Sequence, residues 1–438
     1  MTSMTKLVLP ALAVLLVAAS AEAAGDRVYF GNLHSHTSYS DGSGTPEEAY
    51  RHARDVAQLD FLAITEHNHS QAEDHASPDR RDKLLIATDR SLYEKLKAAA
   101  ARFTRAGRFV ALYGQEVSSI SAGNHMNVFE VDSVLDEKAV PNGRFDLLFK
   151  GWLPLHPDST GQPAVAQLNH PYFRKTDKYY REYGQDDFAS HGEWLAHLDG
   201  QVRTMEMLNG PAMAREGTHL KPEEFYESHY HKFLGMGVRI APSADQDNHY
   251  RTWGTITEAR TAIIAPALEK RALLDALRQR HVYATEDRNL RMQFRVAGEL
   301  TGRVLDPAPA PREPVEIQWK LEDDDEPDAS YTIEVWAGPY IGEATAPGGG
   351  KPAPRARRAR RGKRAAKAEP APARTKHRGE LVHRYSVGAG EARGNWRKLP
   401  GVRYLPGYHY MFFKVIQSDG DRAWSSPVWF GPRPGGGS

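Results

Sequence analysis

Gly31-Asn32-Leu33-His34-Ser35-His36-Thr37-Ser38-Tyr39-Ser40-Asp41-Gly42 is the stretch on which the reading of this 438-residue chain turns. It follows the apolar run Val28-Tyr29-Phe30, which predicts a short buried strand. His34 and His36 stand two residues apart at the end of that strand, so both project to one side. Asp41, on a glycine-containing turn, can swing back to the same point. Neutral imidazoles with a carboxylate make a shell suited to Zn, Mn or Fe rather than to Ca or Mg. One His-x-His pair is a weak signal by itself. Its weight comes from later segments that end in ligand-type residues in the same context.

From about residue 27 to residue 286, apolar runs alternate with helical periodicity, which predicts α/β architecture with parallel strands. Thr45-Pro46-Glu47-Glu48 is a helix start, with Thr as N-cap, Pro at the first position and Glu at the third. A strand at 60–65 then ends on Glu66-His67-Asn68, and a helix at 91–105 precedes a strand at 109–113 that ends on Gly114-Gln115-Glu116. A strand at 126–131 has His125 at its lip, and one at 164–168 ends on Asn169-His170-Pro171. The run 203–208 ends on Asn209-Gly210, and a helix at 222–235 leads to a strand at 238–242 followed by Asp245, Asp247 and His249. An apolar run at 261–265 and a helix at 268–280 close the region. In a β/α barrel, sites are built at the C-terminal ends of the strands. Polar ligand-type residues collected there predict a polynuclear metal site.

Beyond residue 291 the pattern changes to period-two alternation at 315–321, 331–336, 407–416 and 424–430, separated by turn signals. These predict a small antiparallel β-sandwich over 291–434. A basic, low-complexity insertion at 345–379 interrupts it and lacks the apolar content to fold. Of 57 basic and 56 acidic side chains, twelve and one fall within 351–378, leaving 45 basic against 55 acidic elsewhere. The insertion is a solvated loop or a contact for an anionic surface; nothing in it points to specific nucleic-acid binding.

At the N-terminus, Lys6, an apolar run at 7–19 and Ala21-Glu22-Ala23 form the pattern of a secretory signal peptide over 1–23. The alternative, an uncleaved anchor, needs a longer apolar run, and no transmembrane segment is expected elsewhere. With no cysteine, the chain has no disulfide, thiolate ligand or lipid-anchoring site, so any metal is held by His, Asp, Glu and water. The expectation is a soluble exported protein, periplasmic or secreted.

Taken together, His34-x-His36 with Asp41-Gly42, Ile64-Thr65-Glu66-His67-Asn68, Gly114-x-Glu116, Gly123-Asn124-His125, Asn169-His170-Pro171 and Asp247-x-His249 resemble the polymerase-and-histidinol-phosphatase (PHP) superfamily of metallohydrolases. They occur in that family's order over about residues 28–290. The leader and C-terminal β region make the chain similar to exported members of the CehA carbaryl-hydrolase branch. The resemblance implies a distorted seven-stranded β/α barrel over 24–290 with two or three divalent ions, Zn, Mn or Fe. It places one ion between His34, His36, Glu116 and the last-strand Asp, and a second among Asp41, His67 and His249. Glu116 would bridge them, with His125 and His170 completing a third position. Glu66 stands where the family often has Asp and is expected to orient a ligand. Asp-x-His spacing favours Asp247 over Asp245 as the ligand, the other lying behind it.

Such ions activate water and polarise a substrate oxygen. The leading expectation is therefore a metal-dependent phosphoesterase acting on a small phosphorylated substrate. Glu116 and Asp247 sit at its chemistry, and Arg174 and Arg251 are placed to grip phosphate. Arg288, Tyr172 and Trp253 are further rim candidates. Alternatives are a carbamate, amide or carboxylic-ester hydrolase in the same site, or a non-catalytic envelope-binding module. An amidohydrolase, which usually bridges its metals with a carboxylated Lys, is disfavoured because the third strand offers Glu116 and no Lys.

Overall fold

The computed structural model describes residues 25–69, 85–118, 125–136, 138–140, 147–171, 200–306, 308, 314–340, 379–403 and 407–431. The expected leader, most of the basic insertion, and Arg174 and Tyr172 lie outside these residues.

The first half supplies strands β1 (Arg27–Asn32), β2 (Phe61–His67), β3 (Val110–Val117), β4 (Met126–Phe129), β5 (Ala166–Leu168), β6 (Val202–Asn209), β7 (Glu224–Phe225), β8 (Ala241–Asp245), β9 (Arg260–Ala265) and β10 (Val282–Thr285). Helices α1 (Pro46–Asp55), α2 (Ser91–Phe103), α3 (Glu227–Gly235) and α4 (Lys270–Gln279) lie among them. Helix α1 starts as the sequence predicts: Thr45 accepts from Glu48 N, and the Glu48 carboxylate accepts from Thr45 N. Its buried face, Ala49, Tyr50 and Ala53, packs with Leu62 and Ile64 of β2 and Leu96 of α2.

The second half supplies β11 (Arg291–Val296), β12 (Glu299–Leu300), β13 (Val304–Leu305), β14 (Ile317–Glu322), β15 (Tyr331–Pro339), β16 (Glu380–Val387), β17 (Arg397–Lys398), β18 (Tyr408–Gln417), β19 (Arg422–Ser425) and β20 (Val428–Phe430).

These strands do not form the expected β/α barrel. Among the described residues 38% are strand and 17% helix, and sixteen strands join one mixed sheet. Its main path runs β13-β20-β18-β19-β10-β9-β1-β2-β3-β4-β5-β6-β7, with β8 parallel to β6 and β15 joining β18 to β16. Connection length is one physical reason. A parallel crossover needs about a dozen residues or more, usually a helix. Only residues 118–125 separate β3 from β4, and β4 turns back antiparallel to β3 and then to β5. The apolar run at 261–265 likewise pairs antiparallel with β1, not parallel to it.

Beyond residue 290 two sheets pack on one another, and one of them continues the sheet of the preceding residues. Strands β12, β11, β14 and β17 make a four-stranded sheet, while β19 pairs with β10 and so continues the large sheet across residue 290. Phe294 and Trp319 of the small sheet share a core with Val335, Phe413 and Val415 of the large one, and with Phe30 and Tyr283 from the first half. Phe294 and Phe413 stack at 4.1 Å.

Truncation after residue 290 therefore exposes Phe30, Ala262 and Tyr283, and the shortened chain is expected to be insoluble. In the full chain, Phe294→Ala is expected to cost about 3–5 kcal/mol, measured by urea unfolding. A soluble truncated chain with native circular dichroism would show that the shared core is dispensable.

Candidate metal centre

Close backbone approach shapes the first motif. A Cβ on Gly31 would lie 2.3 Å from Phe61 O, and one on Gly42 would lie 2.8 Å from the backbone of His36 and Thr37. Glycine at 31 lets β1 sit against β2, and glycine at 42 folds the turn so that Asp41 returns beneath the two histidines. The loop after β8 docks on the same strand end. His36 N donates to Asn248 O at 2.8 Å, and Asp247 N donates to His34 O at 3.0 Å. Buried Trp253 donates from Nε1 to His36 O at 3.0 Å, which makes it a brace for the turn. In the β2–β3 ladder His67 stands directly opposite Glu116. His125 and His170 come together because Asn169 N donates to His125 O at 3.0 Å.

All nine residues expected as ligands fall into one cluster. Four groups have ligand atoms close enough to hold an ion: His36, Asp41, His67 and His249; His34, His170 and Asp247; His34, His36 and Glu116; and His67, Glu116 and His125. His34 Nε2 lies 3.2 Å from both His36 Nε2 and Glu116 Oε1, and 3.1 Å from Asp247 Oδ1. His36 Nε2 lies 3.0 Å from Asp247 Oδ1 and 3.4 Å from Glu116 Oε2. Asp41 reaches His249 Nε2 at 3.2 Å and His67 Nε2 at 3.4 Å. Glu116 Oε1 meets His125 Nδ1 at 3.0 Å and His170 Nε2 at 3.2 Å. Ligands about 2.0–2.1 Å from one ion stand roughly 2.8–3.4 Å from each other across octahedral and tetrahedral shells. The observed spacings match that range. Glu116 Oε2 and Asp247 Oδ1 are moreover buried acceptors without a well-formed hydrogen bond. The donor set thus fits a metal centre.

Several imidazoles are fixed from behind. His34 Nδ1 contacts Glu206 Oε1 at 2.7 Å, His36 Nδ1 contacts Ser40 Oγ at 3.2 Å, and His249 Nδ1 donates to Asp247 O at 2.7 Å. Each leaves Nε2 facing the cluster. Asp247 and His170 both have positive φ, 52° and 28°, a conformation that L-residues keep only when their surroundings impose it.

The choice between the two aspartates follows from hydrogen bonding. Asp245 accepts from Leu33 N at 2.6 Å, Gln167 Nε2 at 2.9 Å and Thr261 Oγ1 at 3.0 Å. Its oxygens are committed to strand contacts, whereas Asp247 points at the histidines. Glu66 accepts from Thr37 N and from the Thr37 and Ser40 hydroxyls, so it braces the first turn. Arg251 is exposed and bonds Glu48 at 2.8 Å, and Arg288 bonds Asp325.

Two supporting residues lie outside the motifs, Glu206 and Ser118, the latter 2.6 Å from His67 Nδ1; a third, Asn169, opens the Asn169-His170-Pro171 motif and donates to Glu116 Oε1 at 2.9 Å. The one available clue was a lone carboxylate inside the apolar run Met205-Glu206-Met207.

Electrostatics divides the histidines. Burial opposes charge on His34 and His67, yet Asp247 and Glu116 for the first, and Asp41 and Glu116 for the second, raise both well above the ordinary imidazole value. His170 is raised to about 9, with Glu116 outweighing burial. Burial, reinforced by His249 and His67, pushes His36 down to about 4. Burial also pushes up Glu66 to about 7 and Asp245 to about 6. Opposing burial, the imidazoles hold Asp41, Glu116 and Asp247 below the usual carboxylate range. No protein-family model matches this chain, and no curated protein is detectably similar to it.

Without metal, protons on the raised histidines balance these carboxylates. A raised imidazole contributes stability that is full below about 6.5 and is lost as pH rises through its folded value, about 9 for His170. Chelator-treated protein is therefore expected to melt at progressively lower temperature from pH 6.5 to 9. Metal-loaded protein should change far less, because ligands stay deprotonated on the ion. A chelated protein whose melting temperature climbs over this interval would contradict the assignment.

Proposed function

We propose that this protein is an exported metal-dependent hydrolase, with phosphate esters as its leading substrate class. The observation that carries the reading is the convergence of six imidazoles and three carboxylates at metal-ligand spacing. Bound divalent ions supply two things: they lower the pKa of coordinated water from about 15.7 toward 7, and they act as Lewis acids on a substrate oxygen. His34, His36, Glu116 and Asp247 would hold one ion, and Asp41, His67 and His249 another. Glu116 has two oxygens facing different histidines, the arrangement expected of a bridging carboxylate. His125 and His170 extend the centre on the Oε1 side.

The charge balance favours an anionic substrate. Three carboxylates face two or three doubly charged ions, so the loaded ligand set has surplus positive charge, and phosphate oxygens can ligate more than one ion at once. The order of the motifs, which resembles the PHP superfamily, supports the same reading, and the leader-like residues 1–23 support export. One observation favours a second reading, hydrolysis of an uncharged carbamate, amide or carboxylic ester. Arg251, expected to grip phosphate, is bonded to Glu48 instead.

The decisive assay is nitrophenolate release from nitrophenyl phosphate, bis-nitrophenyl phosphate and nitrophenyl acetate by Mn- or Zn-reconstituted protein. Metal-dependent turnover of the phosphates is expected. Glu116→Ala should reduce it by more than the about 10–100-fold typical of residues behind a metal ligand. Turnover of the acetate alone would transfer the assignment to the second reading.

A further inference from the structure

Glu206 lies in the middle of β6 and is fully buried. Its two oxygens meet three groups, and all three are donors in this setting. Oε1 lies 2.7 Å from His34 Nδ1. Oε2 accepts from the backbone N–H of His170 and from Asn209 Nδ2, the latter at 2.8 Å. A carboxylate is acceptor-only on both oxygens, whereas an amide of the same shape has one acceptor and one donor end. Only a carboxylate suits both ends of this contact.

The two ends belong to different parts of the centre. His34 must carry its proton on Nδ1 to donate to Glu206, which leaves the Nε2 lone pair facing His36, Glu116 and Asp247. His170 is held by its N–H in the positive-φ conformation that turns its ring toward Glu116. Asp41, His67 and His249 instead meet one another, Glu116 and Asp247.

We propose that Glu206 is a positioning residue that ties the His34 and His170 ends of the centre together. It fixes the tautomer of one ligand and the backbone of the other, so ions at these two ends are gained or lost as a unit. The position formed by Asp41, His67 and His249 fills independently of it. This inference rests on the metal-centre reading, and its test separates the two.

The test uses full-length, chelator-treated protein titrated with Co2+, followed by visible absorption and by metal content after dialysis. In Glu206→Gln one contact must fail, because an amide N–H faces either His34 Nδ1 or the His170 N–H. The wild type is expected to take up more than one Co2+. Glu206→Gln should keep one ion and bind the remainder about 10–100-fold more weakly. Nitrogen-15 spectra of the Zn2+-loaded protein should show His34 protonated on Nδ1 with Nε2 on the ion, and that signal should shift in the variant. Asn209→Ala removes a donor but leaves both acceptor contacts, so it should retain the wild-type metal content. Wild-type stoichiometry, affinity and tautomer in Glu206→Gln would overturn the proposal. So would loss of every ion at once, which would mark a merely structural role. A wild type that binds no Co2+ would overturn the metal-centre reading itself.

Discussion

The burial of Glu116 is the constraint on which this structure depends. A carboxylate removed from water is costly unless charge and hydrogen bonds compensate it. Here five imidazoles, those of His34, His36, His67, His125 and His170, stand within 3.4 Å of its two oxygens. Those residues come from the ends of β1 and β2, the lip of β4 and the end of β5. One side chain thus fixes where four strand ends must meet. Three further buried carboxylates follow the same logic at one remove. Glu66, Asp245 and Glu206 each accept from backbone N–H groups as well as side chains, so each positions a ligand-bearing segment while its own burial is compensated.

Much of the centre was legible because its signals are local. His34 and His36 share one strand end, Thr45 to Glu48 is a self-contained capping box, and Glu116 and His67 each close a recognisable apolar run. Strand direction was not legible, because it depends on partners far away in the chain. The run at 261–265 looks the same whether it lies parallel or antiparallel to β1, and only the ladder from Arg27↔Ala265 to Gly31↔Thr261 decides it. The short link between β3 and β4 did contain a usable signal, since eight residues cannot hold a crossover helix. Reading 126–131 as one more member of a repeating unit obscured it.

Asp245 and Asp247 show a second kind of limit. Their spacing to His249 favoured Asp247, the one that lies among the histidines, but gave no reason for it. The reason is tertiary: Leu33, Gln167 and Thr261 already occupy Asp245. Glu206 was missed for a related cause. Its partners His34 and His170 lie 172 and 36 residues away from it in the chain, and only the folded sheet brings them to one carboxylate. The boundary near residue 290 is a change in pattern that the sheet ignores, because β10 takes β19 as its neighbour.

That ladder, together with the central place of β1, sets the order in which the protein can be completed. Strand β1 waits for β9, more than two hundred residues later, and β10 waits for β19 near the end of the described chain. Contacts of such long sequence separation form late, since the closure entropy of the intervening chain precedes any gain. A nascent chain therefore carries His34 and His36 for about half of its synthesis with no Asp247 or His249 beside them. On the proposed metal-centre reading, capture of an ion belongs to the finished fold, and the choice of metal falls to the compartment where folding ends.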